Sequence, residues 1–302
     1  MKRILLVALL SGFFIAQAQN DTIQIGNWTI MGKASLNFSQ SYFSNWSAGG
    51  ENSLTAIGKY NMNANFHKGK HGFTNWLDLA LGYSIIGDGK AMKTDDKIEY
   101  IPGYTYELKG PWLFSVMGKF STQFAKGYDY GVDSSTYISK FMAPGYIDIG
   151  PGIQYKPNDW FMLNISPATA AWIVVNDQGL ADQGAFGLEP AVFDTLGNVI
   201  THADKMKMMF GAKLLTTISK EVFKNVTVGT KLELFSDYLN NPQNIDINWQ
   251  VLIGLKVNSW LNVDISTELL YDDDINIADK DGNVGPRTQF KEFLMLSVGF
   301  AF

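Results

Sequence analysis

The chain has 302 residues, no cysteine, and 29 acidic against 24 basic side chains. No disulfide framework can form, and an acidic chain is a poor match for nucleic acid. Aromatic residues make up 14 % and there are 29 glycines, a composition open to membrane barrels and soluble β proteins alike, so the order of residues has to separate them.

The first residues read as an export signal. Lys2 and Arg3 precede an apolar stretch from Ile4 to Ile15, and Ala16-Gln17-Ala18 supplies the small-residue cleavage pattern. The expected organisation is a signal peptide over 1–18 and one domain over 19–302. Removing Lys2 and Arg3 leaves 22 basic against 29 acidic groups, a charge near −7. Beyond this leader no uninterrupted apolar run approaches the roughly 20 residues of a membrane helix. A membrane span here has to be made of strands.

The first predicted strand, Asn27 to Phe43, alternates with period two. Trp28, Ile30, Ala34, Leu36 and Phe38 share one face, and Thr29, Lys33, Ser35, Asn37 and Ser39 the other. A strand crossing a bilayer needs about 9 to 11 residues; this one is long enough to cross and protrude. The pattern returns from Ser53 to Phe66 and from Asn75 to Ile86. It continues near Lys97–Leu108, Trp112–Phe124, Ala143–Tyr155, Trp160–Val174, Met206–Ile218, Val226–Tyr238, Ile245–Val257, Leu261–Tyr271 and Gln289–Phe302. The even-numbered strands lead into tight turns, "KGKHG", "KGP", "KPND", "KEVFKN" and "NS", whereas the odd ones mostly lead into longer loops, the longest from Asn176 to Lys205. Aromatic residues gather at both strand ends, Trp28, Phe66, Phe73, Tyr106, Trp112 and Tyr155 near the turns and Tyr42, Phe124, Tyr238, Trp249 and Tyr271 near the loops. Length, loop asymmetry and two aromatic girdles together predict an all-β, antiparallel up-and-down transmembrane β-barrel of about twelve strands, with both ends on the turn side. The alternative is a secreted soluble barrel or sandwich with its apolar face inward. Pro102, Pro151 and Pro167 fall inside predicted strands, where a closed sheet has no edge to excuse a missing N–H, so bulges or projecting strand ends are expected there.

The polar set of each strand points Lys33, Lys59, Asp78, Lys97, Glu99, Glu107, Lys119, Asp148, Lys213, Lys231, Glu233, Asp246, Lys256, Asp264 and Glu268 into the lumen. Both signs are nearly equal in number, which predicts mutual pairing and not selection of one ion. On this reading the interior is structural or pore-lining. Gly82, on the same face, is expected to accept serine mildly, whereas Leu81→Arg on the lipid face is expected to be costly.

Catalysis has little to build on. The three histidines are His67 and His71 beside the "HKGKH" turn and His202 in the longest loop, and no predicted strand interior holds one, so a serine-histidine hydrolase site at membrane depth is not expected. The two histidines of a hairpin need not converge on zinc. The loop "YDDDINIADKDGNVG" offers Asp272, Asp274, Asp279 and Asp281 as candidate calcium ligands, although Gly282 comes too early for an EF-hand loop. No phosphate-cradling glycine motif is present and no cofactor is implied.

Several segments, "KTDDKIEY" from Lys93, "SKFMAPGYIDIG" from Ser139, "YKPNDWF" from Tyr155, "LADQGAFG" from Leu180, "KLELFSDYLNNPQNIDINW" from Lys231 and "YDDDI" from Tyr271, resemble a Bacteroidota family of exported barrels classed as a domain of unknown function. The resemblance runs from about Trp46 to Phe302, and "FSDYLNNPQNIDINW" is its most specific part. It implies a Gram-negative cell outer membrane, a single barrel and no assigned activity. The expected role is therefore non-enzymatic: a barrel plugged or ion-paired inside, whose outer loops dock an envelope protein partner. The alternative is a porin-like, narrow passive channel for small polar solutes. Expected partners are outer-membrane lipid and the barrel-assembly machinery, which would take up the last strand ending at Phe302.

Overall fold

The computed structural model describes residues 22–302 apart from 45, 46, 49, 132 and 279–282. The expected leader over 1–18 lies outside the described residues. Twelve antiparallel strands close into a barrel. They are β1 (Trp28–Ser41), β2 (Ser53–Lys68), β3 (His71–Ile86), β4 (Met92–Glu107), β5 (Trp112–Thr122) and β6 (Gly145–Asn158). The second half comprises β7 (Phe161–Val174), β8 (Met206–Phe223), β9 (Val226–Asp237), β10 (Asp246–Lys256), β11 (Leu261–Tyr271) and β12 (Gln289–Ala301). Each strand pairs with the next, and β12 returns to β1 in a register running from Leu296–Phe38 to Ala301–Lys33. The Phe302 N–H donates to the Gly32 carbonyl (2.8 Å) and the Gly32 N–H to the Phe302 carbonyl (2.7 Å), finishing the seam at the turn side. A short strand, Ile23–Ile25, folds back along Trp28–Ile30.

The two faces are inverted relative to a soluble protein. Leu36, Leu81, Tyr83, Phe114, Ile149 and Ile165 are exposed, whereas Asn37, Glu99, Ser115, Asn164, Thr169 and Glu233 are buried. Apolar side chains outside and polar ones inside are the arrangement of a barrel surrounded by hydrocarbon. The soluble alternative requires the opposite. At the turn side the outward rings meet across neighbouring strands: Trp28 to Phe66 at 5.3 Å between centroids, Phe66 to Phe73 at 5.9 Å and Phe73 to Tyr104 at 5.1 Å. A second run joins Trp112 to Tyr155 at 4.7 Å and Tyr155 to Phe161 at 6.3 Å. Amphipathic rings at this depth bridge hydrocarbon and water.

The three prolines are accommodated by local lapses in the ladder. Pro102 pairs with Asn75 of β3, but β4 and β5 have no pairs between Tyr100–Phe120 and Gly103–Met117, so the side with the missing N–H is unpaired. Gly118 stands opposite; a Cβ there would meet the proline ring at 3.4 Å. Pro151 and Pro167 face each other across one gap. Pairing of β6 with β7 stops at Ile153–Ile165 and resumes at Ile149–Ala170 with a shifted register, and Pro167 lies within the bulge. The shift changes which residues point inward, from Asn164 and Ser166 before it to Thr169, Ala171 and Ile173 after it. The Tyr238 hydroxyl donates to the Pro167 carbonyl at 3.1 Å.

The largest differences from the expected strand ends are in two places. β4 begins at Met92, with a bulge opposite Gly82–Tyr83. β8 runs on to Phe223, which shortens the expected turn "KEVFKN" to Lys224 and Asn225. Asn225 has φ 66°, a left-handed conformation that asparagine tolerates. The charged pair Lys220–Glu221 suggests a strand end, but a hairpin projecting past the lipid does not need one apolar face. On the loop side, small hairpins pair Gly127–Asp129 with Asp133–Ser139, Val192–Phe193 with Val199–Thr201, and Asn276–Ala278 with Val284–Pro286. A short helix, Gln178–Asp182, begins with the Asp177 carboxylate accepting from the Leu180 N–H at 3.0 Å.

Candidate functional site

Strands β4, β5, β6, β8 and β9 project charged side chains that meet across the lumen. Lys231 of β9 reaches Glu99 of β4 at 2.5 Å and Glu233 of its own strand at 3.4 Å. Lys119 of β5 lies 2.7 Å from Glu233 and 3.7 Å from Glu99. Lys213 of β8 adds contacts to Asp148 of β6 at 2.7 Å and to Glu233 at 3.4 Å. The Lys231 ammonium also lies 5.4 Å from the centre of the Trp76 ring. Strands β4 and β9 are not neighbours, so these bonds tie one wall to another and fill the space between. Toward the turn side, Ser115 donates to Asn164 at 2.5 Å and Asn164 donates to Ser166 at 3.0 Å, all three buried. Each carboxylate and ammonium of the ionic layer has an ion-pair partner, as burial of charge requires, while Glu233 Oε1 accepts no hydrogen bond and meets Lys231 only at 3.4 Å.

The lumen beside this layer is hollow, and residues of all twelve strands line it. A cavity of about 1060 Å³ is bordered at the loop side by Gln123, Asp246, Asp272 and Gln289 and toward the turn side by Asn63, Gly229 and Asp264. Along β10 and β11 no residue is fully buried. Lys33, Lys59, Asp78, Lys97, Asp264 and Glu268 line this cavity, as do Glu99, Lys119, Asp148, Lys213, Lys231 and Glu233 of the ionic layer. Lys97 pairs with Asp78, and Lys33 stands 3.9 Å from Asp264. Two of the expected lumen residues are elsewhere. Glu107 lies at the turn-side rim, half exposed and 3.0 Å from His67, and Lys256 is exposed at the turn-side end of β10. Both have inward parity, but their strands end before the side chains can reach the cavity. Sequence parity missed Lys291, which joins Asp95 of β4 at 3.2 Å and Glu268 at 2.9 Å. Its inward direction follows from the register that places it opposite Glu268. Asp95 precedes the expected start of β4 and so escaped the same projection.

The longest loop bends into the barrel mouth. Leu180, Ala181 and Leu188 are buried against Ala171, Ile173 and Met209 from the inner walls of β7 and β8. Lys140 lies 2.5 Å from Asp177, and the Tyr137 hydroxyl donates to the same carboxylate at 2.7 Å. The Lys140 hydrogen bond, with Tyr137 and the Leu180 N–H, holds Asp177 well below the usual carboxylate range. Asp182 accepts from the Ala203 N–H (2.9 Å) and Gln178 (2.8 Å) and meets His202 at 2.7 Å, fastening the loop on itself. His67 and His71 do not converge, since His71 bonds Tyr104 at 2.8 Å while His67 meets Glu107.

Of the expected calcium ligands, Asp272 and Asp274 are described, and they turn to different partners. Asp279 and Asp281 lie outside the described residues. Asp274 turns to Lys207 at 2.5 Å and to Asn240 at 3.2 Å. Asp272 instead groups with Asp246 and Asp273, their nearest oxygens within 4.8 Å of one another. Burial pushes the Asp272 carboxyl above its ordinary value.

Residues 38–128 match the model of a family described as a protein of unknown function (DUF3078). The matched part covers β2 to β5, and the segment "FSDYLNNPQNIDINW" lies outside it. No curated protein sequence matches the chain. Among solved structures, the COG4313 outer membrane channel from Pseudomonas putida F1 is similar at 11 % identity with a TM-score of 0.40, covering 95 % of this chain and 100 % of that one. The translocator domain of autotransporter NalP from Neisseria meningitidis is similar at 8 % identity and TM-score 0.33, covering 100 % and 95 %. The outer membrane channel DcaP of Acinetobacter baumannii is similar at 10 % identity and TM-score 0.30, covering 93 % and 100 %. No residue role follows from likeness at this level.

Proposed function

We propose that the protein is a porin-like outer-membrane barrel whose hollow side forms a narrow passage for small polar solutes, with the ionic layer as its fixed wall. The observation that carries this reading is the cavity of about 1060 Å³ in the lumen, lined by residues of all twelve strands and bordered from the loop-side rim to Gly229 and Asp264 near the turns. Its lining mixes both charges, which favours small polar solutes over a single ion. The proposal includes export by the leader over 1–18, residence in a Gram-negative outer membrane, and assembly through β12 and Phe302 by the barrel-assembly machinery.

A second reading has its own support. The loop between Asn176 and Lys205 buries Leu180, Ala181 and Leu188 inside the mouth, so it can act as a plug while the outer rim docks an envelope protein. Conductance in planar bilayers separates the two. Steady single-channel steps from the intact protein support the passage. Silence that turns into conductance when residues 178–204 are replaced by a short linker supports the plug, and silence in both proteins overturns the passage.

A further inference from the structure

The closure of the barrel is uneven. Between β2 and β3 the pairing runs from Ser53–Ile86 to Lys68–His71, the full length of both strands. At the seam it runs only from Leu296–Phe38 to Ala301–Lys33. Both seam strands continue beyond that point, β1 through Ser41 and β12 back to Gln289. From Gln289 to Met295, β12 pairs with β11 on one edge and with no described strand on the other. At the usual strand rise this free edge is roughly 20 Å long. A barrel normally removes such edges, because unpaired N–H and C=O groups are templates for further pairing and costly beside hydrocarbon.

Among the described residues, the loop that leaves β1 does not cover this edge. The Phe43 N–H donates to the Asn52 side chain at 2.7 Å and the Phe43 ring packs on Gly50, so that loop turns back toward β2. The other end of the seam shows how the molecule completes an uncovered edge. There β1 extends past the last residues of β12, and Ile23–Ile25 adds to Trp28–Ile30 as an antiparallel strand.

We propose that Gln289–Met295 is a strand-addition site that takes an extended peptide segment of a partner protein. The chemistry of that segment follows from the side chains flanking the edge. Phe290 and Leu294 point outward, 63 % and 61 % exposed, on either side of Glu292 on the same face. The matching strand carries apolar residues at alternate positions about a central lysine or arginine. Lys291, on the inner face, is already held by Asp95 and Glu268 and needs no further partner. A second copy of this chain is disfavoured, because antiparallel pairing of two such edges about their centre places Glu292 against Glu292. This inference does not depend on whether the barrel conducts.

The test uses the full barrel in lipid nanodiscs and a short synthetic peptide that alternates valine and threonine about one central lysine. Amide exchange at Gln289–Met295 is expected to be faster than at Leu296–Ala301 in the free protein and to slow when the peptide is added. A disulfide between Ser39→Cys and Met295→Cys, which extends the existing register by one pair, is expected to abolish that protection. Glu292→Lys is expected to weaken the lysine peptide by about two- to fivefold and to improve a glutamate version equally. Full protection of Gln289–Met295 without peptide overturns the proposal, as does a peptide that protects nothing or binds the disulfide-closed barrel equally well. Conductance of the same samples reports on the passage separately.

Discussion

The ionic side of the barrel, β4 to β9, and the hollow side, β10 to β12 with β1 to β3, share the same period-two alternation and differ in what the inward positions carry. On the ionic side Glu99, Lys119, Lys213, Lys231 and Glu233 are long enough to meet across the lumen. On β10 and β11 inward positions include short residues such as Asn248 and Ser266, and space remains beside them. Alternation therefore sets which way a side chain points, while its length and the charge it meets decide whether the lumen is filled. A filled ionic layer contributes a rigid wall; its net stability is modest, because desolvation of each charge offsets most of the attraction.

That contrast predicts unequal responses to loss of one carboxylate. Glu233→Ala leaves Lys119, Lys213 and Lys231 without their shared acceptor in a buried layer and should cost about 3–5 kcal/mol, read as a lower urea midpoint for the barrel refolded in liposomes. Asp264→Ala in the hollow side removes only a 3.9 Å contact to a Lys33 side chain that is 38 % exposed, and should cost at most about 1 kcal/mol. Equal losses would break the distinction between the two sides.

A second pair sharpens the distinction between faces. Leu81→Arg on the outer face should cost about 2–4 kcal/mol at mid-membrane. Gly82→Ser, expected from sequence to be mild, should cost about 1–3 kcal/mol, because a Cβ at Gly82 lies 2.5 Å from Cγ1 of Ile57, which is fully buried. Gly58 on the outer face meets nothing closer than 3.9 Å, so Gly58→Ser should stay within about 0.5 kcal/mol. The same urea titration ranks all three.

A smaller effect separates the sides by transport. Lys59 lines the cavity, so Lys59→Glu should shift reversal potentials toward cation preference in asymmetric salt. Lys213 lines the same cavity but is bound to Asp148 at 2.7 Å and Glu233 at 3.4 Å, so Lys213→Gln should shift selectivity less than Lys59→Glu even where it lowers stability.

How far the sequence alone carries can be read from particular residues. The twelve strands and their closure follow from alternation, because each outward face must satisfy hydrocarbon along its whole length. Lys33, Lys59, Glu99 and Lys231 could be assigned to the lumen by parity, but their partners could not. Glu99 and Lys231 are 132 positions apart and on strands that are not neighbours, and no local pattern encodes a contact made across a lumen. The crowding at Gly82 was hidden for the same reason, since Ile57 reads as an ordinary strand residue until the register sets it opposite. Parity also says nothing about where a strand stops, which is why Glu107 and Lys256 were expected in the lumen and stand at its rim.

The smallest effect tests the loop that closes the ionic side's mouth. Asp177 ties that loop to Lys140, Tyr137 and the Leu180 N–H. Its carboxyl is held below the ordinary value of about 3.9 by the Lys140 hydrogen bond first. A carboxylate with a depressed folded value stabilises the folded arrangement fully above its unfolded value and progressively less as pH falls below it. Protection of the Leu180 amide, corrected for intrinsic exchange, should therefore be flat from neutral pH to about pH 4 and decline under stronger acid. Tyr137→Phe removes one of the donors and should move the decline to higher pH. The hollow side's rim, where burial raises Asp272, should respond with the opposite sign. A carboxyl raised in the folded state favours folding while protonated and loses that contribution as pH rises through its folded value. Amide exchange at Asp274, whose N–H donates to Asp272 at 2.9 Å, then compares the two rims in one experiment. Parallel pH profiles at Leu180 and Asp274 would show that the loop and the acidic rim open as a unit.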